Sequence, residues 1–370
     1  MILTDKINVI NDQHVFSGTF THALKIHQNL LTHGYKSEFL QFLLSGNSSR
    51  LPENAIIRKG FLYGFDSNSK RSYQVKLAVN FLTGRNWRSF KNLDNGRYIL
   101  SGPSLLNLSK YLKNSITIGH DLYFLERSGN PILRTYMRKM YKLYKLQDLI
   151  MADSNFTRRE FINKLGIEEN GIITVYPAFD NEFFKPGVSN IRDNFNLDDE
   201  DRILLSIGGD NPNKNIETVL RLMKILPDNF KLIRVGSSYN TTRIINNLSL
   251  SSRIIQLSNI NMDYLADIYR GSDLLIFPSI FEGFGIPLVE AMACGTPVIT
   301  SDRTCLPEVV GEAGLVYDPH DVTGMKEAVM RITNDDGFRK ELVEKGIERS
   351  TLFSRESQFK SLYKAIKMLD

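Results

Sequence analysis

Two glutamates, Glu282 and Glu290, flank a glycine-containing loop with seven residues between them. The surrounding stretch, 277–300, reads F-P-S-I-F-E-G-F-G-I-P-L-V-E-A-M-A-C-G-T-P-V-I-T. An apolar strand ends at Pro278, and Gly283-Phe284-Gly285 lets the backbone approach a ligand closely. Pro287 marks a first helical position, where its missing N–H costs nothing. The helix is expected to run to about Cys294, with Gly295 as its cap. Unpaired N–H groups and the dipole at such a helix start make a site for a phosphate or pyrophosphate. Two carboxylates beside an anion repel it unless they face other groups. Glu290 can accept hydrogen bonds from vicinal hydroxyls, as acidic residues do for ribose in dinucleotide folds. Glu282 can face a transferred sugar or the positive charge that develops on it.

The elements that must position these groups alternate along the chain. Ile7-Asn8-Val9-Ile10 reads as a strand, followed by a helix over 19–31 with Phe20, Ala23, Leu24, His27, Leu30 and Leu31 at helical spacing and Gly34 as its cap. Further strands are expected at 116–119, 149–152 and 172–175. A polar, acidic interlude from 185 to 202 suits a linker or surface turn. A second series comes after it, with strands at 203–207, 231–235, 254–257, 274–277 and 296–299 and a helix at 216–226. Alternation of this kind predicts parallel sheets with helices on both faces, and ligands at the carboxyl ends of the strands. The segment 61–95, rich in Phe, Tyr, Lys and Arg, breaks the rhythm and reads as an insertion.

The Glu282–Glu290 stretch resembles the signature of the large retaining glycosyltransferase family 4, of GT-B fold. The resemblance covers most of the chain, most strongly 203–318 and more weakly before 101. It implies an α/β protein with two Rossmann-like domains facing each other across a donor-binding cleft. The boundaries are an acceptor-binding domain over 1–185, a linker over 186–202, a nucleotide-sugar-binding domain over 203–352, and a final helix in 353–370 that packs back on the first domain. By the same resemblance Glu290 holds the donor ribose, Glu282 lies near the sugar hydroxyls, and the amides of Gly283, Phe284, Gly285 and Ile286 contact sugar and phosphate. Ile207-Gly208-Gly209-Asp210-Asn211-Pro212-Asn213-Lys214-Asn215 resembles the family's phosphate loop, with Gly208 and Gly209 at its glycine positions. Lys214 matches the family's lysine, and a lysine there neutralises charge on a leaving diphosphate. Many members carry an arginine where Gly209 stands, so another basic residue is a candidate for that charge. His120, in Gly119-His120-Asp121, resembles a histidine that approaches the donor sugar, and imidazole is a versatile donor near neutral pH. Ser17-Gly18-Thr19 partly resembles the loop that closes over diphosphate and acceptor, with Gly18 as its glycine. Ala152-Asp153-Ser154-Asn155-Phe156 and Leu306-Pro307-Glu308 also match and read as mainly structural.

The resemblance implies a retaining hexosyltransferase of mannose or glucose type. It would use a UDP- or GDP-sugar as co-substrate, with a glycan or lipid-linked acceptor and leaving and attacking groups on one face of the sugar. A sugar-nucleotide epimerase of GT-B architecture and a silent nucleotide-sugar-binding subunit are the alternatives. No G-x-G-x-x-G opens the first half and no P-loop sequence occurs. The histidines lack zinc spacing, and Asp199-Glu200-Asp201 lies in the acidic interlude, so no cofactor and no metal are expected.

The 370 residues carry a formal charge of +5, with 42% hydrophobic and 24% charged residues, a globular composition. No stretch approaches the roughly 18 apolar residues of a spanning helix, and no secretory signal is visible. Cys294 and Cys305 do not make a redox or metal pair. A cytoplasmic setting is expected, at or near the inner face of the cell membrane. At 133–145 the chain reads L-R-T-Y-M-R-K-M-Y-K-L-Y-K. Leu133, Tyr136, Met137, Met140, Tyr141 and Tyr144 share one helical side, opposite Arg134, Arg138, Lys139, Lys142 and Lys145. Such a helix either lies at an anionic membrane with its tyrosines at headgroup depth, or packs its apolar side into a core and leaves a solvated basic face. Lys76, Arg85, Trp87, Arg88 and Lys91 add to the basic, aromatic character and favour peripheral membrane contact. Nucleic acid is not an expected partner, since no recognition motif accompanies the charge.

Overall fold

The computed structural model describes residues 6–11, 18–43, 55–59, 96–102, 105–106, 108, 112, 114–123, 125, 131–236 and 239–370. Ser17 and the expected insertion at 61–95 lie outside them. The chain divides into two compact units, Met1–Pro177 with Gln358–Asp370, and Ala178–Ser357.

In the first unit, β1 (Ile7–Asn11), β2 (Phe39–Leu43), β3 (Ile56–Lys59), β4 (Arg97–Ser101), β5 (Ser115–Gly119), β6 (Leu149–Ala152) and β7 (Ile172–Thr174) form one sheet. Their order is β3-β2-β1-β4-β5-β6-β7, with every pairing parallel. The helix Gly18–Thr32 buries Phe20, Ala23, Ile26 and Leu30 against β1 and β5 in a core that also takes Leu362, Ala365 and Ile366 of the last helix, Arg355–Lys367. Leu31, expected on the buried side, is 43% exposed, because the apolar stripe drifts past it at 3.6 residues per turn.

The second sheet contains β8 (Arg202–Ile207), β9 (Phe230–Val235), β10 (Ile254–Leu257), β11 (Leu274–Phe277), β12 (Val298–Ser301) and β13 (Gly314–Tyr317). Its order, β10-β9-β8-β11-β12-β13, is that of a Rossmann sheet, with all strands parallel. The helix Ile216–Ile225 places Val219, Leu220, Leu222 and Met223, none of them exposed, on this sheet. Each such side chain contributes roughly 1.5–3 kcal/mol. The acidic interlude folds with this unit. Arg192 donates to the carbonyls of Asp198 and Asp201 and turns the segment back on β8.

The basic segment at 133–145 is a helix, Pro131–Tyr141, continued by a 3-10 turn, Lys142–Leu146. Met137, Met140, Tyr141 and Tyr144 are buried with Ile150, Phe161 and Ile172. The hydroxyls of Tyr141 and Tyr144 donate to the carbonyls of Asp121 and Ile118. These two tyrosines are therefore core residues and not available at headgroup depth. Arg138, Lys139, Lys142 and Lys145 remain exposed.

One backbone contact constrains the second sheet near its carboxyl edge. Gly236, with φ +94°, follows β9 so closely against the Gly208 carbonyl that a Cβ there would collide with it. Gly236→Ala is expected to cost about 1–3 kcal/mol through left-handed strain and displacement of the Gly208 loop. A thermal melt unchanged from wild type would contradict this.

Candidate active site

In the second sheet the strand order reverses between β8 and β11, the place where parallel sheets open a crevice at their carboxyl ends. The loop with Gly208, Gly209 and Lys214 leaves β8, and the loop with Glu282 leaves β11. They are tied together by amides. The Asn213 side chain donates to the Phe281 carbonyl at 3.0 Å, and the Ile280 N–H donates to the Asn213 carbonyl at 2.7 Å. Asn215, left-handed at φ 51°, donates through Nδ2 to the carbonyls of Pro278 and Pro319. Between these clamps Lys214 Nζ donates to Glu282 Oε1 at 2.6 Å, both side chains largely buried. The Lys214 stem packs against Gly208, which has φ +140°; a side chain there would crowd that stem.

The Glu282 loop is held from the other side. Its N–H donates to Thr304 Oγ1 at 3.3 Å, and the Cys305 thiol lies 3.2 and 3.1 Å from the carbonyls of Glu282 and Phe284. Burial pushes the Cys305 thiol well up, with the Glu282 charge adding to it, so it serves as a neutral donor. Gly285 has φ +102° and caps the helix Ile286–Ala293, which has no side-chain cap at its start. Ile286 and not Pro287 is the first helical residue. Gly283, Gly285 and Ile286 present backbone at this uncapped end, whereas the Phe284 ring is buried edge-on against Phe353. Any contact of Phe284 with a ligand runs through its main chain. Glu290 lies on the same helix, 8% exposed, and accepts from the Tyr269 hydroxyl at 3.0 Å. Burial, then the Glu290 charge, hold that phenol well above its ordinary range, so it stays a donor.

The first unit gathers a different cluster. His120 follows β5 and Asp153 follows β6, the neighbouring strand, while His22 comes from the helix after β1. His120 Nδ1 meets Asp153 Oδ2 at 2.7 Å and His22 Nδ1 meets Oδ1 at 3.3 Å. Asn29 donates to Gln358 Oε1, leaving the Gln358 amide nitrogen toward the Tyr176 carbonyl and His22 Nε2. His22 Nε2 is then an acceptor, and its proton sits on Nδ1, facing Asp153. Burial alone would raise the Asp153 carboxyl, but His120 and then His22 outweigh it and hold it down to about 2. The three ligand atoms lie within 4.8 Å of one another, close enough to surround a cation. His120 Nδ1 hydrogen-bonds Asp153 Oδ2, whereas His22 Nδ1 and Asp153 Oδ1 stand at ion-pair distance with no hydrogen-bond partner for either atom among the described residues. Gly18 begins the His22 helix, with open space where a side chain would stand.

Residue types alone single out Glu282, Glu290 and the glycine loop. His22, Asp153, Tyr269 and Arg234 escape such a reading. For Asp153 a signal existed, since it stands at a strand end as His120 does. His22 is one polar residue on an amphipathic helix and carries none.

The family model described as "Glycosyl transferases group 1" matches residues 188–349. An uncharacterized glycosyltransferase of Methanocaldococcus jannaschii is 30% identical over 255 residues, 66% of this chain and 67% of that protein. The chain belongs to the group 1 glycosyltransferases. O-antigen chain mannosyltransferase B of Escherichia coli is 27% identical over 286 residues, 74% of each chain. In fold, this glycosyltransferase matches sucrose-phosphate synthase of Thermosynechococcus elongatus (TM-score 0.80, 19% identity, 99% of this chain and 100% of that one). It also matches Anabaena HepE in complex with UDP-glucose (TM-score 0.78, 16% identity, 98% of this chain and 99% of that one). The expected GT-B fold class is thereby established. Among the described residues no helix is long and apolar enough to cross a membrane.

Asp153 gives a pH test of the first cluster. Its folded value lies below the ordinary 3.8, so its contribution is present above about pH 4 and is lost as pH falls through about 2. The shift corresponds to on the order of 2 kcal/mol. Asp153→Asn is expected to be less stable than wild type near neutral pH, with the gap narrowing in acid. Denaturant unfolding at several pH values measures it, and a gap independent of pH would contradict the assignment.

Proposed function

We propose that this enzyme is a retaining hexosyltransferase that moves a mannose- or glucose-type sugar from a nucleotide-diphosphate donor to a hydroxyl of a glycan or lipid-linked acceptor. The observation that carries the reading is the Lys214–Glu282 pair at the β8/β11 switch point, beside the uncapped start of the Ile286–Ala293 helix. That helix end and the Lys214 ammonium suit a diphosphate. Glu290, oriented by Tyr269, suits the ribose hydroxyls. The mannosyltransferase relative supports the hexose class, and the UDP-glucose complex of a protein of the same fold supports a nucleotide-sugar donor.

In the proposed reaction the bond between the anomeric carbon and the diphosphate oxygen breaks as the acceptor oxygen bonds to that carbon on the same face. The acceptor proton passes to a diphosphate oxygen. Lys214 offsets the charge that grows on the leaving group, and Glu282 faces the positive charge on the sugar. No metal is assigned a role, since the cationic work falls to Lys214. In the first unit His120, held through Nδ1 by Asp153, is the group proposed to meet a sugar hydroxyl.

One nucleotide class among UDP-, GDP- and ADP-sugars is expected to raise the melting temperature of wild type, as ligands of the folded state do. Glu290→Ala is expected to weaken that donor on the order of tenfold to a hundredfold, the loss of charge-assisted hydrogen bonds. With that donor, acceptor and EDTA, proton NMR should show product of unchanged anomeric configuration. An inverted product, or turnover that needs added metal, would sink the reading. Donor consumption without acceptor would indicate an epimerase, and binding without turnover a silent subunit.

The exposed face of Arg138, Lys139, Lys142 and Lys145 supports peripheral contact with an anionic membrane, where each basic side chain contributes about 1 kcal/mol. The protein is expected to co-sediment with anionic vesicles at low salt and to be released at high salt. Failure to sediment at low salt removes the membrane from the proposal.

A further inference from the structure

Arg234 is 1% exposed and heads the largest fully buried side chains. The register of β9 on β8 sets it beside Ser206. Its Nη2 donates to the Gly208 carbonyl at 2.6 Å and reaches that of Gly209 at 3.3 Å, and its Nη1 meets Ser206 Oγ at 3.4 Å. Among the described residues its buried Nε–H has no partner and it makes no ion pair. Burial pulls the guanidinium down to about 10, while the charge of Asp210 acts in the opposite direction. The Asp210 carboxylate in turn accepts from Thr241 Oγ1 at 2.5 Å.

A buried cation is costly unless it is paired. Carbonyl and hydroxyl oxygens meet both Nη groups of this guanidinium without cancelling its charge. Their orientation has a second consequence. In a trans peptide the C=O and the following N–H point in opposite directions. Drawing the carbonyls of Gly208 and Gly209 onto Arg234 therefore turns the N–H groups of Gly209 and Asp210 away from it. The loop so held is the one that carries Lys214, whose stem lies against Gly208.

We infer that Arg234 is the positioning residue of the Gly208–Gly209 loop, aiming its N–H groups at a nucleoside diphosphate and supplying the buried countercharge from beneath. The inference rests on the donor site proposed above and adds a cation from the neighbouring strand β9, where Gly209 itself offers no side chain. Arg234 does not touch the phosphate; it acts through the loop.

The test titrates UDP and uridine, with GDP and guanosine in parallel, into wild type, Arg234→Met, Arg234→Lys and Glu290→Ala by calorimetry or NMR. Melting temperatures without ligand monitor the fold. Arg234→Met is expected to weaken the diphosphate on the order of tenfold to a hundredfold while leaving the nucleoside within about twofold. Arg234→Lys, which keeps the charge and loses the fork, should fall between. Glu290→Ala should weaken nucleoside and diphosphate alike. Should Arg234→Met fail to fold, the same split in Arg234→Lys supports the inference and equal losses overturn it. Diphosphate affinity untouched in the arginine variants, but lost in Glu290→Ala, overturns this inference alone. Wild type that binds no nucleoside diphosphate overturns the donor site and the inference together.

Discussion

Lys214 and Glu282 meet at 2.6 Å although 68 residues separate them in the chain, and the rest of the second unit's site is arranged around that contact. A carboxylate beside an anion site raises the cost of every phosphate that approaches, by Coulomb repulsion that grows where water is excluded. With the ammonium on it, Glu282 presents little net charge. In the reaction proposed above, a leaving group that gains charge would compete for the same ammonium. That competition would couple the lysine to the reaction coordinate, where electrostatic stabilisation acts most strongly. The clamps by Asn213 and Asn215 matter for the same reason, because solvent would screen the charge of a lysine free to swing.

Parallel topology makes this meeting possible. At the reversal between β8 and β11 the loops leaving two neighbouring strands diverge to opposite faces of the sheet and leave room between them. The first unit repeats the logic with different chemistry. β5 and β6 are neighbours, so the residues just past their ends, His120 and Asp153, face each other. His22 arrives from the helix after β1 to close the carboxylate's other side. Gln358 enters from the last helix, so residues at opposite ends of the chain set the tautomer of one ring.

How much of this was legible in the sequence depended on whether the governing contact is local. The strand–loop–helix over 274–293 could be read, since glycine at a left-handed cap, an early proline and a carboxylate one turn on are constraints of neighbours. β1, β5, β6 and β8–β11 carry apolar runs that need no partner to be recognised. β2, with Gln41 inside it, lies between β1 and β3, and the short β13, Gly-Leu-Val-Tyr, lies along β12; both are strands only through that pairing. The stretch expected to be a strand at 296–299 is shifted to Val298–Ser301, since Thr296 and Pro297 complete the turn from the preceding helix. The basic helix shows the limit of periodicity. Spacing tells which residues share a face but not what covers it, and Tyr141 and Tyr144 are covered by Phe161 and its neighbours.

Arg234 lies furthest from what a pattern can reveal. In Phe-Lys-Leu-Ile-Arg-Val a charged residue within a strand reads as solvent-facing, and Lys231 supports that habit by remaining partly exposed. At Arg234 the tertiary structure reverses it, because the Gly208 loop folds over the end of β9 and supplies oxygens where water would be. Gly236 belongs to the same arrangement, since a side chain there would push the loop off the guanidinium. A fold that buries a cation this completely, with neutral oxygens as its only hydrogen-bond partners among the described residues, carries an electrostatic cost in the absence of ligand. That cost falls when an anion binds close by. On the inference drawn above, the loop that Arg234 and Lys214 both touch would be less stable empty than filled, the condition for drawing binding energy from a diphosphate.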